Sequence, residues 1–208
     1  MTYAIGDIHG CLATLKKLVS SLELLASDKL IFIGDYVDRG PNSRGVIDFL
    51  IAISTKYESQ FIRGNHEQMF LDYISGTPGS TIWAYNGMET TIRSYGSVRI
   101  VPDYHVDFLM ETVTHYQMGK YLFVHAGVRP GVALKKQQDS DLMWIREPFL
   151  STPVPMKGRK VVYGHTPVFG GPLDTKGKLG IDTGCVYGGH LTAYRVEDGF
   201  HISQAYSD

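Results

Sequence analysis

Five times along this chain a short apolar run stops at a cluster of residues that carry chemistry. Tyr3-Ala-Ile gives way to Gly6-Asp7-Ile8-His9-Gly10, and Leu30-Ile-Phe-Ile to Gly34-Asp35-Tyr36-Val37-Asp38-Arg39-Gly40. Phe61-Ile-Arg leads into Gly64-Asn65-His66-Glu67, Leu122-Phe-Val into His125-Ala126-Gly127, and Val161-Val-Tyr into Gly164-His165-Thr166-Pro167. Runs of this length read as buried strands, and apolar residues at helical spacing, as at Leu12, Leu15, Leu18, Val19 and Leu22, lie between them. That alternation places the chain in the α/β class. In an open α/β sheet, ligands bind outside the carboxyl ends of the strands. If the five runs are neighbours in one sheet, their polar ends meet in one place.

The patterning predicts strands at Tyr3–Ile5, Lys29–Ile33, Phe61–Ile62, Tyr121–Val124 and Lys160–Tyr163. It predicts helices over Leu12–Leu24, Val46–Ile53, Glu67–Ile74, Met88–Tyr95 and Tyr104–Met118, with a loop over Gly76–Asn86. The last third reads as strands Lys178–Ile181, Leu191–Glu197 and Phe200–Tyr206, with Asp198-Gly199 as a hairpin turn. With 208 residues and no linker-like composition near Gly127–Pro148, a single domain over 1–208 is expected. Twenty Lys and Arg against 21 Asp and Glu leave a net charge of −1, without the basic excess of a nucleic-acid or anionic-membrane binder. No run approaches the roughly 18 apolar residues of a membrane span, and the first residues lack a signal-peptide layout. A soluble, cytoplasmic protein is expected. Cys11 and Cys185 match neither a zinc spacing nor a disulfide framework and read as free, partly buried thiols.

The residue types at the five ends suggest what they hold. Asp, Asn and His without a sulfur ligand form a hard-to-borderline donor set that suits Mn²⁺, Fe or Zn²⁺. Asp7 and His9 are two apart, so on an extended backbone they point to one side. One ion does not need so many donors, whereas two ions sharing a carboxylate do, and Asp35 is central in chain order. A lone Asp after a strand is commonly a helix cap and a lone His a hydrogen-bonded core residue, but five strand ends of this kind together are poorly explained by capping.

These residues closely resemble the phosphoprotein phosphatase family of metallophosphoesterases. Its Gly-Asp-x-His-Gly, Gly-Asp-x-Val-Asp-Arg-Gly and Gly-Asn-His-Glu motifs stand here in order, followed by His-Ala-Gly and Gly-His, so the resemblance runs from residue 5 to about residue 195. It implies an αββα sandwich, two mixed β-sheets flanked by helices, with metals at the ends of the central strands. It implies a first ion held by Asp7, His9 and bridging Asp35, and a second held by Asp35, Asn65, His125 and His165. A water activated by the two ions would attack phosphorus in line. His66 would protonate the leaving group, and Asp38 would orient it and raise its pKa. Arg39 and Arg146 would clamp phosphate bidentately. Arg146, in Asp141-Leu-Met-Trp-Ile-Arg-Glu147, resembles the bacterial form of the second clamp; otherwise it is a surface residue paired with Glu147. Arg63 reads as a loop tie by ion pairs. His105, His115, His190 and His201 read as structural or exposed, and Trp83 and Trp144 as core. Gly184–Gly189, with Cys185 and Tyr187, reads as a loop at the rim of the site.

The resemblance leaves the leaving group open. A compact protein serine/threonine phosphatase of the bacterial and phage-like type, acting on a phosphorylated protein or peptide, comes first, supported by the short chain and the Trp-Ile-Arg-Glu segment. A dinucleoside tetraphosphatase, or another small-molecule phosphoesterase, is the alternative, set back because symmetric tetraphosphatases tend to be longer chains. A non-catalytic phosphoprotein-binding scaffold would have lost a ligand or the acid, and none is missing.

Overall fold

Alternation along the central strands builds four layers. The computed structural model describes residues 1–208. Strands β1 (Thr2–Ile5), β2 (Lys29–Phe32) and β3 (Glu58–Phe61) run parallel, and β9 (His190–Arg195) and β10 (His201–Ala205) continue the sheet antiparallel in the order β10-β9-β1-β2-β3. A second sheet has the order β4-β5-β6-β8-β7. Its centre, β5 (Tyr121–Val124), β6 (Lys160–Tyr163) and β8 (Lys178–Gly180), is parallel, with β4 (His115–Met118) and β7 (Leu173–Asp174) antiparallel at the edges. In the central parallel strands odd and even residues enter different cores. Ala4, Ile31, Phe123, Val162 and Leu179 fill the space between the sheets. Tyr3, Ile5, Leu30 and Phe32 face the other way, into a core shared with helices α1 (Leu12–Ser21), α2 (Ser43–Ser54), α3 (Asn65–Ile74), α4 (Met88–Tyr95) and α5 (Asp103–Glu111). Leu122, Val124, Val161 and Tyr163 face out of the second sheet against Leu142 of α6 (Asp139–Trp144) and Phe149. This is the αββα arrangement that the resemblance implies.

The five strand ends therefore lie on two facing sheets, not one. They still converge, because the C-terminal ends of both parallel triplets open to the same end of the sandwich. The sheets come so close there that a Cβ on Gly6 would overlap the carbonyl oxygen of Ile181. Other expectations are corrected at edges. β3 covers Glu58–Phe61 instead of Phe61–Ile62, because as an edge strand it carries Glu58, Ser59 and Gln60 without burying them. The helix expected to reach Met118 stops at Glu111. His115–Met118 turns at Gly119 (φ 56°) and pairs antiparallel with β5, a partnership no helical spacing reveals. Within the expected loop 76–86, Ser80–Tyr85 forms a 3₁₀ turn that buries Trp83 against Phe70, with ring centroids 4.8 Å apart. Helix α1 ends at Ser21, three residues short of Leu24, and α3 begins at Asn65.

Candidate active site

The loops leaving the strands bend sharply. Outside glycine, left-handed φ occurs at six residues, and five of them are His9 (46°), Asp35 (51°), Asp38 (71°), Arg39 (67°) and His165 (63°). Such conformations cost about 1–3 kcal/mol each and persist only where surrounding structure enforces them. They also correct one sequence-based expectation: Asp7 and His9 do not share a face of an extended strand, because β1 ends at Ile5 and the chain reverses at His9.

Much of the enforcement comes from Glu67 in the first turn of α3. Its Oε2 accepts the N–H groups of Asp35 (2.8 Å) and Gly64 (2.9 Å), and its Oε1 those of Tyr36 (2.7 Å) and Val37 (3.3 Å). Burial, and secondarily the Asp35 carboxylate, push the Glu67 carboxyl up to about 7 in spite of these donors. Glu67→Gln should turn one acceptor oxygen into a donor that faces backbone N–H groups. Leaving two buried donors unpaired should cost roughly 2–6 kcal/mol at 1–3 per group, measurable as a lower urea midpoint with unchanged m-value.

Four imidazoles point into the space between the loops, and three of them have one nitrogen fixed from behind. Nδ1–H donates to Val37 O from His9 (2.9 Å), to Ile33 O from His125 (3.0 Å) and to Asp38 Oδ2 from His66 (2.6 Å), while His165 turns its Nδ1 to Asn65 Oδ1 within the site (3.0 Å). The Nε2 atoms of His9, His125 and His66 then face inward, as in metal-binding histidines held by an outer acceptor. Asp35 lies between them, with Oδ2 at 3.3 Å from His9 Nε2 and 3.9 Å from His66 Nε2, and Oδ1 at 3.3 Å from His125 Nε2. Burial opposes ionisation of Asp35, yet His125, His66 and His9 outweigh it and hold the carboxyl well below the usual range. Burial equally opposes a charge on His125, yet Asp35 and Asp7 raise it to about 10. Burial, with His125 next, leaves His165 neutral, lowered to about 3.

Such a constellation fits cations. Asp7 Oδ1, His66 Nε2 and His165 Nε2 are buried without any hydrogen-bond partner, which is costly unless an ion or substrate satisfies them. Burial and then the neighbouring Asp182 push Asp7 well above the usual carboxylate range, an arrangement that a positive ion relieves. His9, Asp35 and His66 offer donor atoms within 4.8 Å of one another, as do Asp35, His125 and His165. Asp35 is common to both groups. Asn65 Oδ1 belongs with the second, 3.0 Å from both His125 Nε2 and His165 Nδ1. Asp7 lies between the sheets, its Oδ2 accepting the His165 N–H at 2.9 Å and its Oδ1 against Gly164, where a Cβ would overlap it.

The His66–Asp38 pair is anchored by two residues that carry no sequence signal. The Trp83 indole N–H donates to Asp38 Oδ2 (2.7 Å) and the Thr91 hydroxyl to Asp38 Oδ1 (2.6 Å). Trp83 is thus more than core. Burial lowers the His66 pKa overall, while Asp35 and then Asp38 act in the other direction, Asp38 favouring the imidazolium as expected. Arg39 Nη1–H donates to His9 Nε2 at 2.6 Å, and its guanidinium packs over the ring of Tyr187 at 5.7 Å. Arg146 is exposed beside His165 and opposes its protonation. It does not pair with Glu147, which instead accepts from the hydroxyl of Ser151 at 2.6 Å. Arg63 makes no ion pair. It ties down the end of α5 through the carbonyls of Leu109, Met110 and Thr112, and also reaches Gln68. His105 is buried between Tyr95 and Asp48, and His190 and His201 are exposed. Asp182, at the end of β8, was findable by the rule that found the other strand ends; Trp83 and Thr91 were not.

The family model described as calcineurin-like phosphoesterase matches residues 2–194. The chain is 31% identical to the asymmetrical bis(5′-nucleosyl)-tetraphosphatase PrpE of Anoxybacillus flavithermus, over 93% of this chain and 89% of that protein. It is 29% identical to serine/threonine-protein phosphatase 1 of Salmonella typhimurium, over 94% and 91%. A crystal structure described as a candidate diadenosine tetraphosphatase superposes with a TM-score of 0.81 at 23% identity, covering all of this chain and 94% of that one. No helix is long and apolar enough to cross a membrane.

Proposed function

The chain belongs to the calcineurin-like phosphoesterase family and is a hydrolase of that metal-dependent kind, and we propose that its substrate is a dinucleoside tetraphosphate, cleaved asymmetrically. The observation that carries this reading is the 31% identity to an asymmetrical tetraphosphatase, with 93% of this chain aligned to 89% of that protein. The objection of chain length was raised against symmetric enzymes and does not bear on asymmetrical ones. The protein serine/threonine phosphatase remains a second reading, supported by the similarity to the Salmonella enzyme over 94% of this chain.

Asp7, His9, Asp35, Asn65, His125 and His165 are the residues that would hold two divalent ions, of which Mn²⁺, Fe and Zn²⁺ all suit the donor set. Bound there, the ions supply Lewis acidity to the phosphoryl oxygens and activate water. Arg39 and Arg146 bind the phosphoryl oxygens and stabilise charge as it builds. His66 presents Nε2 to the leaving oxygen while Asp38 holds the opposite nitrogen. Negative charge on the bound substrate favours the protonated imidazole, offsetting the burial that otherwise lowers it.

The test is hydrolysis by the Mn²⁺-supplemented protein of diadenosine tetraphosphate and of phosphoserine and phosphothreonine peptides in parallel. The expected result is a higher kcat/KM on the dinucleotide, with ATP and AMP as products. A higher value on the peptides would replace this substrate with a phosphoprotein and leave the metal and acid assignments standing.

A further inference from the structure

Beside the phosphate clamp the chain builds a rigid turn that carries an aromatic ring outward. Cys185–Tyr187 lies between Gly184 (φ 73°) and Gly188 (φ 83°), and the N–H groups of Tyr187 (3.0 Å) and Gly189 (2.9 Å) both donate to Gly184 O. Cys185 plugs the turn into the main core, and Asp182 Oδ1 accepts the Gly184 N–H at 3.0 Å. So anchored, Tyr187 stays 56% exposed while Arg39 packs over its ring. Phe169, 69% exposed, lies against the same turn, its Cε1 within 2.5 Å of where a Gly184 Cβ would stand. Two large rings left in water forgo burial energy that the core could have used. Here they are held on a preorganised loop, one of them in contact with a guanidinium that binds phosphate.

We propose that Tyr187, with Phe169 against the same turn, is the stacking seat for a nucleobase of the substrate and determines preference for a nucleotide over a seryl or threonyl phosphate. This rests on the tetraphosphate reading. A phosphate on Arg39 brings the attached nucleoside next to Tyr187, and every base offers a π-face to a ring, whereas a serine or threonine side chain offers none. Tyr187 and Phe169 touch the base and not the phosphorus under attack, so their effect falls on recognition.

The experiment measures KM for diadenosine tetraphosphate, and the inhibition constants of ATP and inorganic tripolyphosphate against it, in the wild type and in Tyr187→Ala, Tyr187→Phe and Phe169→Ala. The wild type should bind ATP more tightly than tripolyphosphate, which lacks the base. Tyr187→Ala should raise KM by roughly 5- to 150-fold, the worth of one stacked base, and bring the two inhibitors close together. Tyr187→Phe should restore both properties, and Phe169→Ala should show a smaller loss of the same kind. If Tyr187→Ala weakens tripolyphosphate as much as ATP, the ring serves only to position Arg39 and the proposal is overturned. Unchanged constants overturn it too. A wild type that ignores the dinucleotide while hydrolysing phosphopeptides overturns the substrate reading itself, before any variant is made, and this inference with it.

Discussion

Asp35→Asn should leave the purified protein with little bound metal and slow hydrolysis on the order of 10³-fold or more, taking several kcal/mol as the worth of metal-stabilised charge. Asp35 is the one carboxylate within reach of both imidazole groups, 3.3 Å from His9 Nε2 through one oxygen and from His125 Nε2 through the other. An amide can offer an oxygen to one side only, and its NH₂ group then faces the lone pair of the other histidine. Elemental analysis after dialysis decides the matter. Two ions per chain surviving in the variant would remove Asp35 from the bridging position.

His66→Asn should keep the metal content of the wild type and lose about 10²–10⁴-fold in kcat on a phosphoserine peptide, the range for a missing general acid. The loss on a tetraphosphate should be smaller. A phosphate departs readily as an anion, whereas a serine alkoxide needs a proton as it leaves. Trp83 and Thr91 keep Asp38 in place when the imidazole is gone, so the surrounding loops need not move. Equal losses on both substrates would mean that His66 acts on the phosphoryl group itself, and retained activity with the peptide would dismiss it as the acid. The pair of substrates therefore reads the role of one residue and the nature of the leaving group together.

The interior of the fold was legible because central strands buried on both faces must be apolar along their length. Tyr121–Val124 and Lys160–Tyr163 were read with their observed bounds for that reason. The edges were not legible. β3 is polar at Glu58–Gln60 and β4 needs β5 beside it to be a strand at all, so neither announces itself locally. The number of sheets escaped residue patterning for a related reason: a strand records that both its faces are covered but not by what.

At the site, the identities of Asp7, His9, Asp35, Asn65, His66, His125 and His165 were readable because each sits within a few residues of a strand end, where chain direction alone brings it to the ligand face. Reaching the net pKa of His66 required knowing how deeply the ring is buried, which no neighbour in sequence reports. The support of Asp38 by Trp83 and Thr91, and the packing of Arg39 on Tyr187, join segments far apart in the chain. Sequence by itself determined the chemistry of the donors, since that is a property of residue type and local position. Only the tertiary structure decided which atoms face each other, how strongly burial shifts them and which rings border the clamp, because these depend on distances across the fold.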